Sequence, residues 1–203
     1  METMTQYSDA WWQARLGKAT ASKIADIMSK TKSGYSAGRK NYEAQLISER
    51  LTGISPPSFT NAAMQWGTDT EPQARAAYEF ANDVVVVEVG FIDHPHIEMS
   101  GASPDGVVGE GLLEIKCPNT ATHLDTLLSG KVPKKYITQM QWQMACMEKA
   151  WCDFVSFDPR LPENNQLFQK RIMFDDDYVA EMENEVKNFL IAVDDKVNLL
   201  RGL

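Results

Sequence analysis

Ser103-Pro104-Asp105-Gly106 and the following Glu114-Ile115-Lys116-Cys117-Pro118 place one carboxylate nine positions before a second (114 − 105 = 9) and a lysine two positions beyond it. Leu112, Leu113, Ile115 and Cys117 make an apolar run broken only by these charges, which reads as a buried strand. On a strand, Glu114 and Lys116 project to the same face. Burying them is costly unless something pairs them. A turn at Pro104-Asp105-Gly106 would bring a second carboxylate back beside Glu114. Two hard oxygen donors suit Mg²⁺, or Mn²⁺ as a substitute, with Lys116 left to hold or deprotonate a water. The chemistry such a group could do is metal-dependent hydrolysis of a phosphodiester. The same residues also fit an Asp-Gly hairpin leading into an edge strand whose Glu and Lys form an ordinary ion pair.

Three other segments must position or supplement this group. In Asp9-Ala-Trp-Trp-Gln-Ala-Arg-Leu-Gly-Lys-Ala-Thr-Ala-Ser22, Ser8 or Asp9 caps a short helix and Gly17 ends it. Thr20 is then expected to cap a helix over about 21–28. Free N–H groups there, with the hydroxyls of Thr20 and Ser22 and the guanidinium of Arg15, would make an anion pocket. The alternative is a capped surface helix with a solvated arginine. In Met64-Gln-Trp-Gly-Thr-Asp-Thr-Glu71-Pro72, the proline belongs to a first helical turn, so the helix is expected to begin between Gly67 and Thr70. Glu71 would then lie near its start, where a carboxylate also simply complements the helix dipole. After Pro133, a long helix carries Ile137, Met140, Met144 and Met147 on one core-facing stripe and Tyr136, Gln139 and Gln143 on a neighbouring polar one.

These blocks together resemble the phage lambda exonuclease family of viral recombination nucleases, within the PD-(D/E)xK superfamily. The likeness runs from about residue 9 to about 160. It implies an α/β fold with a central mixed β-sheet flanked by helices, the restriction-endonuclease-like PD-(D/E)xK core. It implies that Asp105, Glu114 and the main-chain carbonyl of Ile115 hold Mg²⁺, that Glu71 is a third acidic residue of that site, that Lys116 orients the attacking water and that Gln139 lends its amide. Arg15, Thr20 and Ser22 match residues that hold the 5′-phosphate of the degraded strand, and Met64 matches an apolar side chain set against the duplex end. The implied activity is a Mg-dependent 5′-to-3′ exonuclease that leaves a 3′ single-stranded overhang for recombination. Double-stranded DNA ends, a homotrimeric ring and a single-strand annealing protein are the implied partners. A structure-specific or restriction-type endonuclease, and a DNA-end binding module without catalysis, remain as alternatives.

Composition fits one nuclease domain over 1–203. No apolar run approaches the ~20 residues that span a bilayer, and no basic segment followed by an apolar stretch opens the chain, so a cytoplasmic protein without membrane attachment is expected. Cys117, Cys146 and Cys152 form no C-x-x-C pair, which excludes a disulfide framework, a zinc ribbon and a four-cysteine iron–sulfur cluster. His94 and His96 lack the spacing of a helical zinc pair. A net charge of −8 opposes phosphate binding by the chain as a whole. The basic residues are grouped, however. Lys30, Lys32, Arg39 and Lys40 surround a loop with Tyr35, and Lys131, Lys134 and Lys135 precede the glutamine helix, so Lys32, Lys131, Lys134 and Lys135 are candidate DNA contacts. Strands are expected over 84–91, 99–102, 112–117, 151–157 and 166–174, and helices over 120–128 and 176–200.

Overall fold

The computed structural model describes residues 5–32, 34–55 and 61–203. The first half is mainly helical, with α1 (Asp9–Arg15), α2 (Ile24–Met28), α3 (Ala37–Thr52) and α4 (Ala62–Asn82). Short strands β1 (Ala19–Thr20), β2 (Lys30–Thr31) and β3 (Gly34–Tyr35) lie between the first three. Then come β4 (Ile92–Asp93), β5 (Ser100–Ala102), β6 (Gly106–Val108), β7 (Gly111–Lys116), α5 (Thr120–Ser129), α6 (Lys134–Met147), β8 (Trp151–Phe157), β9 (Leu167–Met173) and α7 (Asp176–Arg201).

The central sheet has the order β6-β7-β8-β9, with β7 and β8 parallel and the outer pairs antiparallel. A parallel pair needs a long crossover, and α5 and α6 supply it. The alternation of β7 sorts its side chains between two layers. Leu113 and Ile115 pack with Ala74 and Tyr78 of α4, whereas Leu112 packs with Met140 and Met144 of α6. Glu114, in step with Leu112, therefore faces α6. A separate helical core joins α2, α3, α6 and α7 around Trp142, Leu46 and Phe189. A small sheet of order β1-β5-β4 lies beside it.

The expected strands over 151–157 and 166–174 and the helices at 120–128 and 176–200 appear within one or two residues of those bounds. Two expectations need correction. Helix α4 starts at Ala62, because the Asn61 side chain accepts a hydrogen bond from the Met64 amide at 2.9 Å. Pro72 is thus in the helix interior, where it removes the hydrogen bond to the Thr68 carbonyl; it is exposed, so water can satisfy that carbonyl. The strand expected over 84–91 is reduced to one bridge between Val87 and Val107. Its partner β6 is only three residues long, and Val85 and Val87 remain exposed.

The segment after β8 is fastened to the end of β7 by a buried carboxylate. Asp158 accepts hydrogen bonds from the Thr120 hydroxyl at 2.6 Å and from the Arg160 guanidinium at 2.7 and 2.9 Å. Arg160 also lies over the Trp66 ring, 4.4 Å from its centroid, and donates to the Pro118 carbonyl. Burial alone would raise the Asp158 pKa, but the Arg160 and Thr120 hydrogen bonds outweigh it and hold the carboxyl at about 2. A carboxyl depressed from the ordinary ~3.9 contributes stability above that value and loses it as pH falls through the folded pKa. In urea unfolding, Asp158→Asn should be less stable than wild type by about 2 kcal/mol above pH ~4, a gap that closes towards pH ~2. A gap independent of pH would show that the ion pair does not carry it.

Candidate active site

Strands β6 and β7 are joined by a tight reversal with Gly109 at φ +53°, a left-handed conformation suited to glycine. The chain turns there rather than at Pro104-Asp105-Gly106, and Asp105 instead leads into β6. The register pairs Gly106 with Leu113. One step further along that ladder, Asp105 stands across from Glu114, which is the structural meaning of the nine-residue spacing. The Asp105 carboxylate accepts the Ile115 amide at 2.6 Å.

Glu114 has no exposed surface. Gln139 donates to its Oε1 and Gln143 to its Oε2, each at 2.6 Å, and Lys116 forms an ion pair with Oε1. Charge-assisted donors on both oxygens offset the removal of this carboxylate from water. Lys116 in turn lies 5.3 Å from the Tyr136 ring centroid. Sequence reasoning selected Gln139 from the polar stripe and passed over Gln143, four residues on. The signal was available: Gln143 occupies the next helical turn on the same face, so a side chain reached by one is within reach of the other.

Glu71 lies on α4 at the mouth of this group. Its Oε1 accepts from Arg75 at 2.7 Å, and Arg75 also pairs with Glu88 at 2.8 Å. Burial raises the Glu71 pKa; Arg75 and Lys116 oppose this and Glu114 adds to it. Asp105 is raised well above the usual carboxylate range, by burial first and then by the charge of Glu114, against the pull of Lys116. Burial disfavours the Lys116 ammonium, yet Glu114 and Asp105 more than compensate and raise its pKa. The congestion of negative charge around Asp105 is the kind that a divalent cation relieves. Asp105 and Glu114 are hard oxygen donors, and the adjacent Cys117 thiol is buried with its pKa pushed up to about 12, so no thiolate competes. Among the described residues no group of three or more His, Cys, Asp and Glu side chains is assembled tightly enough to hold a metal. The donor chemistry fits Mg²⁺, with oxygens beyond the carboxylates making up the shell.

Glu71 and Lys116 reach a cleft of about 820 Å³ that is also lined by Ile115, Met64, Lys135 and Tyr136 and by the aromatic residues Tyr7 and Trp12, while Asp105 and Glu114 lie behind its wall. Lys135 also borders a groove that contains Lys30 and Lys134. Lys32 is exposed at the β2-β3 hairpin, and Lys131 is exposed before α6; neither lines the cleft.

Arg15, Thr20 and Ser22 meet in a second cavity of about 120 Å³. The Arg15 guanidinium donates to the Ser103 hydroxyl at 3.1 Å and lies 4.1 Å from the Trp11 ring centroid. Burial lowers its pKa, and among the described residues it forms no ion pair. The buried Glu49 also borders this cavity, with its Oε2 taken by the Gly17 amide at 2.7 Å and its Oε1 by Gln45 at 2.8 Å. The expected helix-start contribution is corrected here. Thr20 belongs to β1, paired with β5, its amide donates to the Tyr42 hydroxyl at 3.0 Å, and its side chain caps nothing. The cavity relies on side chains rather than on a free helix N-terminus.

A mixed sheet with Glu114 and Lys116 at the carboxyl end of a parallel strand, Asp105 across from them on the antiparallel neighbour, and a covering helix that offers glutamines is the core of a PD-(D/E)xK nuclease. The description "YqaJ-like viral recombinase domain" matches residues 10–150, and the chain belongs to that family, and so to the lambda exonuclease family of viral recombination nucleases. The chain is similar to the crystal structure of LHK-Exo, an alkaline exonuclease from Laribacter hongkongensis, with 52% identity, 96% of each chain covered and a TM-score of 0.90. The same protein in complex with dAMP gives a TM-score of 0.91 at the same identity and coverage. A phage-related exonuclease from Haemophilus somnus 129PT shares the fold, at 15% identity and a TM-score of 0.72 over 90% of this chain and 96% of that one. No curated protein matches. Among the described residues no helix is long and apolar enough to cross a membrane.

If Gln143 holds the buried Glu114 carboxylate, Gln143→Leu should destabilise the fold by about 1–3 kcal/mol, because Oε2 loses its donor without access to water. Chemical denaturation of both proteins measures this; an unchanged midpoint would mean that Oε2 finds another partner.

Proposed function

We propose that the protein is a Mg-dependent 5′-to-3′ exonuclease that degrades one strand of linear duplex DNA from a 5′-phosphorylated end and leaves a 3′ single strand for recombination. One observation carries the reading: Lys116, ion-paired with the buried Glu114, stands on the wall of a cleft that shares the residue Trp12 with a cavity containing Arg15. That arrangement suits a substrate whose terminal phosphate is held while the next phosphodiester is cleaved. Family membership and the 52% identity to an alkaline exonuclease support the same reading.

Asp105, Glu114 and the Ile115 carbonyl would hold Mg²⁺, with Glu71 adding a further carboxylate at the rim. The cation would supply charge stabilisation to the reacting phosphate. Lys116 lies between Glu114 and the cleft, where it would orient the attacking water. Gln139 and Gln143 keep Glu114 from turning. Arg15 holds the terminal phosphate through charge-assisted hydrogen bonds, with Thr20 and Ser22 around it, and Met64, exposed at the cleft, meets the end of the duplex. Lys32, Lys131, Lys134 and Lys135 offer contacts to the backbone further along. Assembly as a homotrimer and action with a single-strand annealing protein are supported by the family resemblance.

Digestion of linear duplexes labelled at the 5′ or the 3′ end, with Mg²⁺ and with chelator, tests the reading. Mononucleotide release from 5′ ends only, and only with Mg²⁺, is expected. Release from 3′ ends, or cutting of covalently closed circles, would overturn it. Asp105→Ala, Glu114→Ala and Lys116→Ala should each abolish digestion while DNA binding persists, and their losses should not add, because the three act as a unit. Substantial Mg²⁺-dependent digestion by Glu114→Ala would remove the assignment of this site.

The anion cavity gives a separate test. Wild type should digest 5′-phosphorylated ends faster than 5′-hydroxyl ends by about ten- to a hundredfold, and Arg15→Ala should erase that preference. Initial rates on both ends at one salt concentration measure it. Equal wild-type rates would show that the cavity does not read the end.

A further inference from the structure

The anion cavity and the catalytic cleft meet at Trp12, which lines both. Its ring is 39% exposed, and Tyr7, on the cleft side, is 54% exposed. The neighbouring Trp11 is buried at 5% exposure, with its indole N–H donated to Ser103 at 2.9 Å. Around Trp11 stand Arg15, Tyr7 at 5.2 Å and Trp12 at 4.6 Å between ring centroids. Trp11 is thus the floor of the cluster, and Trp12 and Tyr7 are the rings whose surfaces remain open. One side of each ring packs in this cluster, and the remaining surface of each faces the cleft.

The backbone also singles out Tyr7. Its φ is +67°, a conformation that side-chain-bearing residues rarely adopt. The turn is held there on both sides. Gln6 donates to the carbonyls of Val89 at 3.1 Å and Pro104 at 2.9 Å, and the Ser8 hydroxyl donates to the Thr5 carbonyl at 2.7 Å. The Pro104 contact ties this turn to the residue beside Asp105. A strained conformation kept by several hydrogen bonds places the phenol ring over the cleft.

We propose that Trp12 and Tyr7 form an aromatic platform for the base of the terminal nucleotide, holding it while its 5′-phosphate occupies the Arg15 cavity. The proposal rests on the reading of the cleft as the place where a terminal nucleotide is released. Stacking suits an enzyme that must accept every base, since every base has a π-face. Two of the polar side chains at the cleft mouth are already engaged with the protein itself. Asn61 Oδ1 is taken by the Met64 amide, and the Gln65 amide is donated to Asp69 at 2.8 Å. The grip is therefore expected to follow ring area, purines above pyrimidines, rather than hydrogen-bonding pattern.

The test compares binding of 2′-deoxyadenosine 5′-monophosphate and of 2-deoxyribose 5-phosphate to the intact protein, by calorimetry at one salt concentration. Wild type should bind the nucleotide on the order of tenfold more tightly than the sugar phosphate. Trp12→Ala should bring the two affinities together whatever its effect on the sugar phosphate, since the ratio is what the platform sets, and Trp12→Phe should restore most of the difference. Tyr7→Phe should keep the difference, since stacking does not need the hydroxyl. Tyr7→Gly should reduce it, and glycine adopts φ +67° freely, so misfolding would not explain the loss. Equal wild-type affinities, no saturable nucleotide binding, or a full difference in Trp12→Ala would overturn the platform. Failure to digest linear DNA would instead overturn the exonuclease reading, and the binding ratio can be measured whether or not digestion occurs.

Discussion

The architecture turns on the placement of one carboxylate, Glu114, in a strand with sheet neighbours on both sides and a helix across its face. An ionised group so placed would be unfavourable by several kcal/mol if left alone. The strand answers with Lys116 two residues on, and α6 answers with Gln139 and Gln143 one turn apart. These partners fix how α6 lies against β7, and therefore which of its faces carries the Met140 and Met144 packing. A core helix and a polar site are oriented by the same contact.

What could be read from the sequence followed from how strongly burial constrains each segment. Strands β7, β8 and β9 and helices α6 and α7 announced themselves through apolar spacing, because each has one face against a core. The strand expected over 84–91 had the right composition but no long partner, and pairing is a property of two segments. Pro72 misled because the rule against interior proline concerns the carbonyl it frees, and that carbonyl's access to water is not written in the local sequence. Arg15, Thr20 and Ser22 line one cavity, but how they come together is not legible in the sequence: Thr20 contributes from a strand, which only the pairing with β5 reveals. Gln143 was missed because a glutamine on a helix is ordinarily solvated, and its burial depends on the carboxylate across from it.

Charge in this chain is managed locally rather than by its sum. Glu185 gathers Lys30, Arg39 and Tyr35 on the outer helix, and its carboxyl is lowered by the Lys30 hydrogen bond above all. Lys18 and Lys23 are matched by Asp93 and Asp26. Lys134 and Lys135 have no acidic partner of this kind among the described residues. Lys135 on the cleft wall, with Lys134 beside it, is thus positive charge not neutralised by a neighbouring carboxylate, although the chain as a whole is acidic.

Helix α4 is mechanically two segments. Beyond Pro72 it is bolted to the sheet by Ala74 and Tyr78, the latter through a 2.7 Å hydrogen bond to Asp153. Before Pro72 it forms the cleft wall, where 62–65, 68 and 69 are exposed and the Trp66 ring lies beneath Arg160. The missing backbone hydrogen bond falls between the two, so bending stiffness is lowest there. Deflection of the wall would be absorbed around residues 68–72 and would not propagate into the sheet. The same proline that spoils a simple reading of the helix isolates the registry of β7 from whatever is pushed into the cleft.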